Sequence, residues 1–456
     1  MDKIFYSLGL RINHYRPIHI RILFFALLCL MFQLKPAAQQ REAQLRPYVK
    51  KAVFALSNVM MHDVVSPVIA SRYYMYCTIG ATAILSNAKP SIIHPSKYIV
   101  HFPSSLGTHQ LKDPSLAALF AIYETGMAIL PSGANMMAEY SSLKQKVTTL
   151  GYQPKEIAEA SRVAAETAKE LLKYASQDGY SKLSAFPKYR PKRKDGYWFP
   201  TPPAYMDAVD PYWRTMRTMI IDSSSQFRGK PPVSFDTTIG SSFNQLVKEV
   251  YQIGKFPTAE QKEIAAFWDC NPFVVATSGH MSLGFKKISP GGHWMNITCI
   301  AALAHKLPYD KMIQALSMVA IGLYDGFIVC WNEKYATDRA RPETIINKFI
   351  DVKWQPMLQT PPFPEYTSGH SVISSTSAEL LSYLIGEKIS FVDDSELIFE
   401  LAPRKFNSFR HAAEEASVSR LYGGIHYRDA IENGQDQGKK VGKYIIEKIQ
   451  KAGFKQ

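Results

Sequence analysis

The residues best suited to chemistry lie in three short motifs between positions 334 and 429. The motifs are Lys334-x6-Arg341-Pro342, Ser368-Gly369-His370 and Ser419-Arg420-x5-His426. Lysine and arginine side chains stabilise negative oxygens, and arginine can do so with two parallel N–H groups. A neutral histidine nitrogen can act as a nucleophile or as a metal ligand. Together the motifs predict a site that holds a tetrahedral oxyanion and carries out a reaction on it.

Helix ends are expected to position these motifs. Lys334 and Arg341 are seven residues apart, so they would share one face of a helix, and Pro342 favours a chain break just beyond Arg341. A helix that begins near Ser368 would offer free backbone N–H groups and a positive dipole end to an anion. We therefore expect two cations and one helix start to face the same cavity.

The third motif lies at the end of a predicted helix over residues 409–422, which carries Arg420 in its last turn. The dipeptide Gly423-Gly424 then allows the chain to turn, so that His426 can face the cavity. Each motif alone is also typical of a solvated helix face or an ordinary helix start. Their order and spacing favour one shared site.

In this order and spacing the motifs resemble the pattern of the type 2 phosphatidic acid phosphatase and vanadium-dependent haloperoxidase superfamily. Three further segments, residues 267–272, 289–294 and 361–371, are similar to its soluble bacterial haloperoxidase-like branch. The resemblance covers most of the chain beyond about residue 45. It implies an all-α protein with the large helical-bundle fold of the acid phosphatase/vanadium-dependent haloperoxidase type.

The resemblance assigns the cations to a vanadate cofactor, or to phosphate bound in the same site. Lys334, Arg341 and Arg420 would neutralise the equatorial oxygens of this anion. Ser368 and the backbone N–H of Gly369 would complete its cradle.

The two histidines would carry out the reaction. The resemblance implies that His426 is the vanadium ligand of a peroxidase, or the phosphorylated nucleophile of a phosphatase. His370 would be the acid/base group for peroxide or the leaving group, and Lys334 would polarise the bound peroxide. Trp331 and Phe363 fall where chloroperoxidase-type members line the halide side of the site, and an ordinary core position is the alternative for Phe363.

The sequence departs from the family pattern at two positions. Thr367 stands where the family usually has proline before Ser-Gly-His, and Asp429 comes one residue early for the usual His-x3-Asp after His426. Since that aspartate orients the nucleophilic histidine in the phosphatases, its displacement weighs against phosphatase chemistry. Asp269 is expected to pair with Arg420, although a helix cap would explain this aspartate equally well.

The resulting prediction is a vanadate-dependent haloperoxidase-like enzyme that oxidises halide with hydrogen peroxide. The alternative is a phosphatase that hydrolyses phosphate monoesters or phosphatidic-acid-type substrates through a phospho-histidine at the same site. A third hypothesis is a binding protein that has kept the fold without turnover. The cations and both histidines of the site are present, which favours an enzyme.

The net charge of +14 fits an anion site better than a nucleic-acid site. Basic and aromatic residues do not alternate along one groove, and the densest basic cluster, residues 188–194, lies in a proline-rich stretch. Small anions and hydrogen peroxide are therefore the expected partners, and nucleic acid is not. The oligomeric state is left open.

Other metal sites are not favoured by the sequence. Beyond the N-terminal region the cysteines are Cys77, Cys270, Cys299 and Cys330, which show no CxxC spacing. Their disulfide pairing cannot be assigned. His280 and His293 flank a glycine-rich stretch, but without a third ligand at suitable spacing they read as structural histidines.

The N-terminus predicts a signal peptide over residues 1–38. An apolar run of 11 residues, 22–32, follows a basic segment, and small residues follow at 36–38. This run is short for a bilayer span. The prediction is a periplasmic or secreted protein, and the alternative is a membrane anchor formed by the uncleaved signal.

The remaining chain is predicted to have two helical parts. Residues 39–235 would form an N-terminal helical half with a proline-rich connector at 186–212, and residues 236–456 the catalytic helical domain. The very apolar stretch 312–331 is interrupted by Gln314 and Asp325, so we expect a buried core helix that delivers Lys334. The mature chain is therefore expected to lack a stable membrane span.

Overall fold

The computed structural model describes residues 37–109, 111, 113–278, 281–284 and 286–454. The described residues from Leu45 onward form one compact unit. The predicted signal peptide lies outside the described residues except for positions 37 and 38, where the first helix begins. The predicted boundary between residues 235 and 236 stays a prediction, as does cleavage of the signal.

The described part of the chain is mainly helical, which confirms the all-α prediction. The α-helices are α1 Ala37–His62, α2 Pro67–Ser86, α3 Pro114–Ile129, α4 Met137–Thr149, α5 Pro154–Ala175, α6 Ser242–Lys255, α7 Ala259–Phe267, α8 Pro290–Ala304, α9 Tyr309–Thr337, α10 Pro342–Phe349, α11 Gly369–Leu384, α12 Phe409–Tyr422 and α13 Arg428–Lys451. Several begin with proline at the first position after a capping residue, such as Ser66 before α2 and Ser289 before α8. Proline fits there because the first turn has no partner for its N–H.

Two short antiparallel hairpins were not predicted. They pair β1 Val275–Ser278 with β2 Met281–Gly284, and β3 Phe391–Asp393 with β4 Arg404–Phe406. Strands of three or four residues are too short to show an alternating pattern in sequence. The second hairpin carries Asp393 into the protein interior, where it becomes important below.

Helix α9 is the central core helix, as predicted from its apolar sequence. Within the described residues it is the one helix long and apolar enough to cross a membrane, with a mean hydropathy of 1.7, and that apolar window is entirely buried inside the protein. It packs against α2 and also against α11. Lys334 lies in its last turn and is fully buried. The core therefore delivers this cation to the site.

Asp325, which interrupts the apolar sequence of α9, has a structural role. Its carboxylate accepts hydrogen bonds from the backbone N–H groups of Met219, Ile220 and Ile221, at 2.8, 2.8 and 3.1 Å. Burial raises the pKa of Asp325 to about 6, and the three N–H groups oppose that rise. The acid thus anchors an irregular segment to the core helix.

The connector over residues 186–212 contains no helix, and it lies against the end of α9. The backbone N–H of Trp198 donates to the Asp338 carbonyl at 2.8 Å, and that of Val209 donates to the Pro362 carbonyl at 2.9 Å. The Tyr335 hydroxyl donates to the Val209 carbonyl at 2.6 Å. The connector therefore borders the segment that leads into Ser-Gly-His.

Helix α13 approaches α11 closely because it presents a row of glycines, Gly434, Gly438 and Gly442. A Cβ atom at Gly438 would lie 2.1 Å from the Val372 carbonyl oxygen and 2.9 Å from the Ser375 Cβ. These distances are far inside van der Waals contact, so a larger residue would push the two helices apart. The close packing fixes the start of α11, where Ser368 and Gly369 lie.

Gly438→Ala is expected to destabilise the protein by about 1–3 kcal/mol, because the added methyl overpacks the α11–α13 contact. The free energy of unfolding from urea denaturation measures this effect. Gly326→Ala on α9 is the matched control, since a Cβ there would meet its nearest neighbour at an ordinary 3.5 Å. Equal stability of the two variants would show that the close contact does not matter.

Candidate active site

Six of the predicted site residues line one cleft. Its lining includes Gly369 and His370 from the start of α11, Arg420 from the end of α12, and His426 from the turn before α13, together with Trp331 and Phe363. The two aromatic rings lie 4.9 Å apart between centroids. The cleft thus has a polar wall of helix ends and an aromatic wall.

Arg341 reaches the site by a different route from the predicted one. Helix α9 ends at Thr337, Asp338 adopts a left-handed conformation with φ 54°, and Arg341 is extended, with φ −75° and ψ 152°. The expectation that Lys334 and Arg341 share one helix face is therefore wrong. The residue before a proline is disfavoured in helical geometry, so Pro342 moves the break to before Arg341.

The Arg341 guanidinium is fully buried and lies next to the Phe363 ring. Its Nε donates to the Phe363 carbonyl and its Nη1 to the Ile425 carbonyl, each at 2.9 Å. The same Nη1 lies 3.1 Å from His426 Nε2. Burial lowers the pKa of Arg341 to about 10, so it remains charged at neutral pH.

His426 is held as a neutral ring with its Nε2 lone pair toward the arginine. Its Nδ1 lies 2.8 Å from Glu365 Oε1, and because a carboxylate only accepts, Nδ1 carries the proton. Nε2 is then the acceptor that faces Arg341. Burial lowers the pKa of His426 well below its usual value, and the charges of Arg341, Lys334 and Arg420 act in the same direction. A neutral imidazole with an unprotonated Nε2 is the form that ligates a metal or attacks phosphorus.

Glu365 is the functional residue that the sequence analysis missed. It is fully buried, and its Oε1 also accepts the backbone N–H of Tyr427 at 3.0 Å. Its Oε2 accepts from Arg339 Nε at 2.7 Å. Glu365 is the one acidic residue between the proline-rich segment and Ser-Gly-His. This position was the signal in the sequence that could have indicated its role.

Asp429 does not orient His426. Its two oxygens accept from Arg339 Nη1 and Nη2, at 2.6 and 2.7 Å. Because Arg339 also binds Glu365, the chain of contacts runs from Asp429 through Arg339 and Glu365 to His426. The carboxylate on His426 is therefore present, but it comes from another part of the sequence. The displaced aspartate is for this reason no argument against phosphatase chemistry.

Lys334 uses all three of its donor positions on backbone carbonyls. They belong to Pro364, Glu365 and Thr367, at 3.1, 3.0 and 2.6 Å. Burial, together with the charge of Arg341, lowers the pKa of Lys334 to about 7. The lysine thus fixes the turn before Ser368. Because its pKa lies near neutral pH, a bound anion would favour its charged form.

Thr367, which replaces the family proline, holds the same turn. Its hydroxyl donates to Gln437 Oε1 on α13 at 2.8 Å. Helix α11 begins at Gly369 with Ser368 as its N-cap, and Ser368 Oγ accepts the Ser371 N–H at 3.4 Å. The predicted helix start at Ser368 is confirmed, and its first N–H groups lie beside the cleft.

Arg420 and His370 converge on the carbonyl of Trp268. Arg420 Nη1 donates to it at 2.8 Å, and His370 is hydrogen-bonded to the same backbone. Burial lowers the pKa of Arg420, and the negative charge of Asp269 opposes that change. Asp269 itself pairs with Lys287 at 3.7 Å. Among the described residues Asp269 therefore forms no direct ion pair with Arg420, contrary to the expectation; its effect on Arg420 is electrostatic, and the carbonyl of Trp268 makes the direct contact.

Three buried nitrogen atoms of the site lack a hydrogen-bond partner among the described residues. They are Arg341 Nη2, Arg420 Nε and His370 Nε2. Unpaired buried polar atoms are uncommon, and each costs about 1–3 kcal/mol. Because two of them belong to guanidinium groups, an oxyanion bound in the cleft would satisfy them. The residues present therefore fit a vanadate or phosphate group.

Comparisons with known proteins agree with this geometry. A family model described as the VCPO second helical-bundle domain matches residues 314–453. The crystal structure of the first bacterial vanadium-dependent iodoperoxidase is similar with a TM-score of 0.81 and 35% sequence identity, over 88% of this chain and 96% of that one. No curated protein sequence matches significantly.

Two further structures share the fold at lower identity. The holo and apo forms of a bacterial vanadium-dependent chloroperoxidase each give a TM-score of 0.65 at 15% identity. They cover 86% and 85% of this chain, and 93% and 95% of their own. The match at 35% identity extends over nearly the whole of the iodoperoxidase. This chain belongs to the vanadium-dependent haloperoxidase family.

Proposed function

We propose that this enzyme uses vanadate to oxidise halide with hydrogen peroxide, and that iodide is its preferred halide. The observation that carries the proposal is that two partnerless buried nitrogens, Arg420 Nε and His370 Nε2, belong to residues that line one cleft with the neutral His426. The buried Arg341 guanidinium lies 3.1 Å from His426 Nε2. The choice of iodide is supported by the 35% identity to a bacterial iodoperoxidase.

Each polar group has a defined part in holding vanadate. His426 Nε2 is the ligand atom, kept unprotonated by Glu365 on the opposite side of the ring. Arg341 and Arg420 offset the negative charge with their free N–H groups. Lys334 adds a further positive charge from its position beneath the turn whose carbonyl groups it binds. Bound vanadate supplies a Lewis-acidic centre that activates hydrogen peroxide toward halide.

His370 is the proton acceptor of the proposed reaction. Burial lowers its pKa well below the usual value, and the charge of Arg420 acts in the same direction, so the ring is neutral and can take a proton from peroxide. The aromatic wall of Trp331 and Phe363 excludes water from the halide side. A weakly hydrated, polarisable anion suits such a wall best.

The similarity to haloperoxidases favours peroxidase over phosphatase chemistry. The local geometry does not separate the two, since Glu365 orients His426 as a phosphatase would require. The test must therefore measure both reactions on one preparation.

The experiment compares peroxide-dependent iodide oxidation, with and without orthovanadate, with hydrolysis of p-nitrophenyl phosphate. We expect iodide oxidation that requires vanadate, and a loss of about 100-fold or more in Arg341→Gln because a buried charge contact to the anion is removed. Arg428→Gln is the matched control, since Arg428 forms an exposed ion pair with Glu249. Vanadate-inhibited phosphate hydrolysis without iodide oxidation would overturn the proposal.

Anion affinity is expected to fall as the pH rises above about 7. Burial lowers the pKa of Lys334 to about 7, so above this pH the free site loses the ammonium charge that a bound anion favours. Binding then requires uptake of a proton, and the affinity falls by up to about tenfold per pH unit. The measurement compares the pH dependence of phosphate binding in wild type and Lys334→Gln, which cancels the titration of phosphate itself. Parallel curves would contradict this role of Lys334.

The place of action is also proposed, as the periplasm or the exterior of the cell. The support is the apolar run at 22–32 with small residues after it. N-terminal sequencing of the exported protein would show a start near residue 39, and an intact N-terminus in the membrane fraction would favour the anchored alternative.

A further inference from the structure

A second cluster of chemically competent side chains lies beside the vanadate site and has no part in it. It consists of Cys270, after α7, His293 in the first turn of α8, and Glu396, after β3. All three are buried. We propose that these residues bind a divalent transition metal, with zinc as the best fit, and that this metal braces the wall of the active site. The proposal does not depend on halide oxidation.

The distances within the cluster match those around a tetrahedral metal. His293 Nδ1 lies 3.4 Å from Cys270 Sγ and 3.3 Å from Glu396 Oε1, and all the ligand atoms lie within 4.8 Å of one another. Zinc bonds to sulfur, nitrogen and oxygen at tetrahedral angles place such ligand atoms roughly 3.4–3.6 Å apart. One ion can therefore contact all three atoms after small side-chain movements.

Hydrogen bonding alone does not satisfy this cluster. Both carboxylate oxygens of Glu396 are buried and have no hydrogen-bond partner among the described residues. The Nδ1 of His293 can carry one proton, yet it faces both the thiol and the carboxylate. Buried carboxylates are paired or bind metals. A divalent cation would balance the thiolate of Cys270 and the charge of Glu396 together.

The other side of His293 is arranged as in metal sites. Its Nε2 lies 2.7 Å from Asp393 Oδ2, and Asp393 Oδ1 accepts the Ser395 N–H at 3.0 Å. A carboxylate that accepts from one ring nitrogen of a metal-binding histidine fixes its tautomer and directs the other nitrogen to the metal. Once Nδ1 gives up its proton on metal binding, this arrangement would direct its lone pair at Cys270 and Glu396.

The position of the cluster explains what the metal would do. The Trp268 ring stacks on the His293 ring, with centroids 4.5 Å apart and an angle of 21°. The carbonyl of Trp268 accepts from Arg420, and Cys270 lines the cleft. A metal that ties three distant chain segments together would thus fix the wall that positions Arg420.

The test is cobalt substitution of the full chain, purified and then stripped of metal with a chelator. We expect one Co²⁺ per chain and a sulfur-to-cobalt charge-transfer absorption band, with zinc displacing the cobalt. Cys270→Ser should remove the band. Cys299→Ser is the matched control, because Cys299 is a buried cysteine on α8 outside the cluster.

A second variant keeps the test decisive if Cys270→Ser does not fold. Glu396→Gln retains the sulfur ligand, so the band should persist while the cobalt affinity falls about 10-fold or more. The absence of stoichiometric cobalt in the wild type would overturn the proposal. So would a band that survives in Cys270→Ser, or an unchanged affinity in Glu396→Gln.

Discussion

Replacing His426 with alanine is expected to lower vanadate-dependent iodide oxidation by about a thousandfold or more. The other groups of the site act as a unit around this ligand atom, and removing one member of such a unit removes most of its effect. Glu365 holds the proton of this imidazole on Nδ1, so the unprotonated Nε2 faces Arg341. The measurement is the rate of triiodide formation at saturating vanadate and peroxide.

The control for this variant is His62→Ala, which removes an exposed histidine paired with Asp63. Its activity should equal that of the wild type. Circular dichroism and the unfolding midpoint test whether His426→Ala remains folded. Retention of more than a tenth of the activity in folded His426→Ala would show that this histidine is not the ligand.

Replacing Glu365 with glutamine is expected to weaken vanadate binding by about 10–100-fold, as for other residues that orient a metal ligand. The glutamine amide can donate to Nδ1, which favours the tautomer with the proton on Nε2 and so blocks the ligand atom. The same change removes a negative charge from beside Arg339. The measurement is the dissociation constant of vanadate from calorimetric titration.

The matched variant is Asp429→Asn, which weakens the support of Arg339 but leaves the contact between Glu365 and His426. Its effect on vanadate affinity should be several-fold smaller than that of Glu365→Gln. The unfolding midpoints of both variants separate loss of stability from loss of orientation. A larger effect of Asp429→Asn would mean that the family aspartate keeps its role through another route.

Local signals in the sequence predicted much of the structure. The apolar stretch at 312–331 became the buried part of α9, and the helix at 409–422 ends where a Gly-Gly turn follows. Ser368 became a helix N-cap because serine accepts a backbone N–H in the first turn. These features depend on residues close together in the chain, so the sequence was sufficient.

One error is local, and another concerns residues that are far apart in the sequence. The spacing of Lys334 and Arg341 suggested one helix, but the conformation required before Pro342 placed Arg341 outside it. Glu365 contacts His426 across the fold, and no local pattern indicates such a pair.

The cysteine, histidine and glutamate of the second cluster likewise come from segments far apart in sequence, so a search for short ligand spacing did not find them. His280, which the sequence analysis considered with His293, lies outside the described residues. The structure instead places Cys270 and Glu396 beside His293.

The most direct test of the central claim is calorimetric titration of the wild-type chain with orthovanadate. Arg420 and His426 line one cleft, and Arg341 Nη1 lies 3.1 Å from His426 Nε2. This arrangement predicts one saturable binding site that phosphate competes for and that His426→Ala loses. The absence of saturable binding, or equal binding by wild type and His426→Ala, would contradict it.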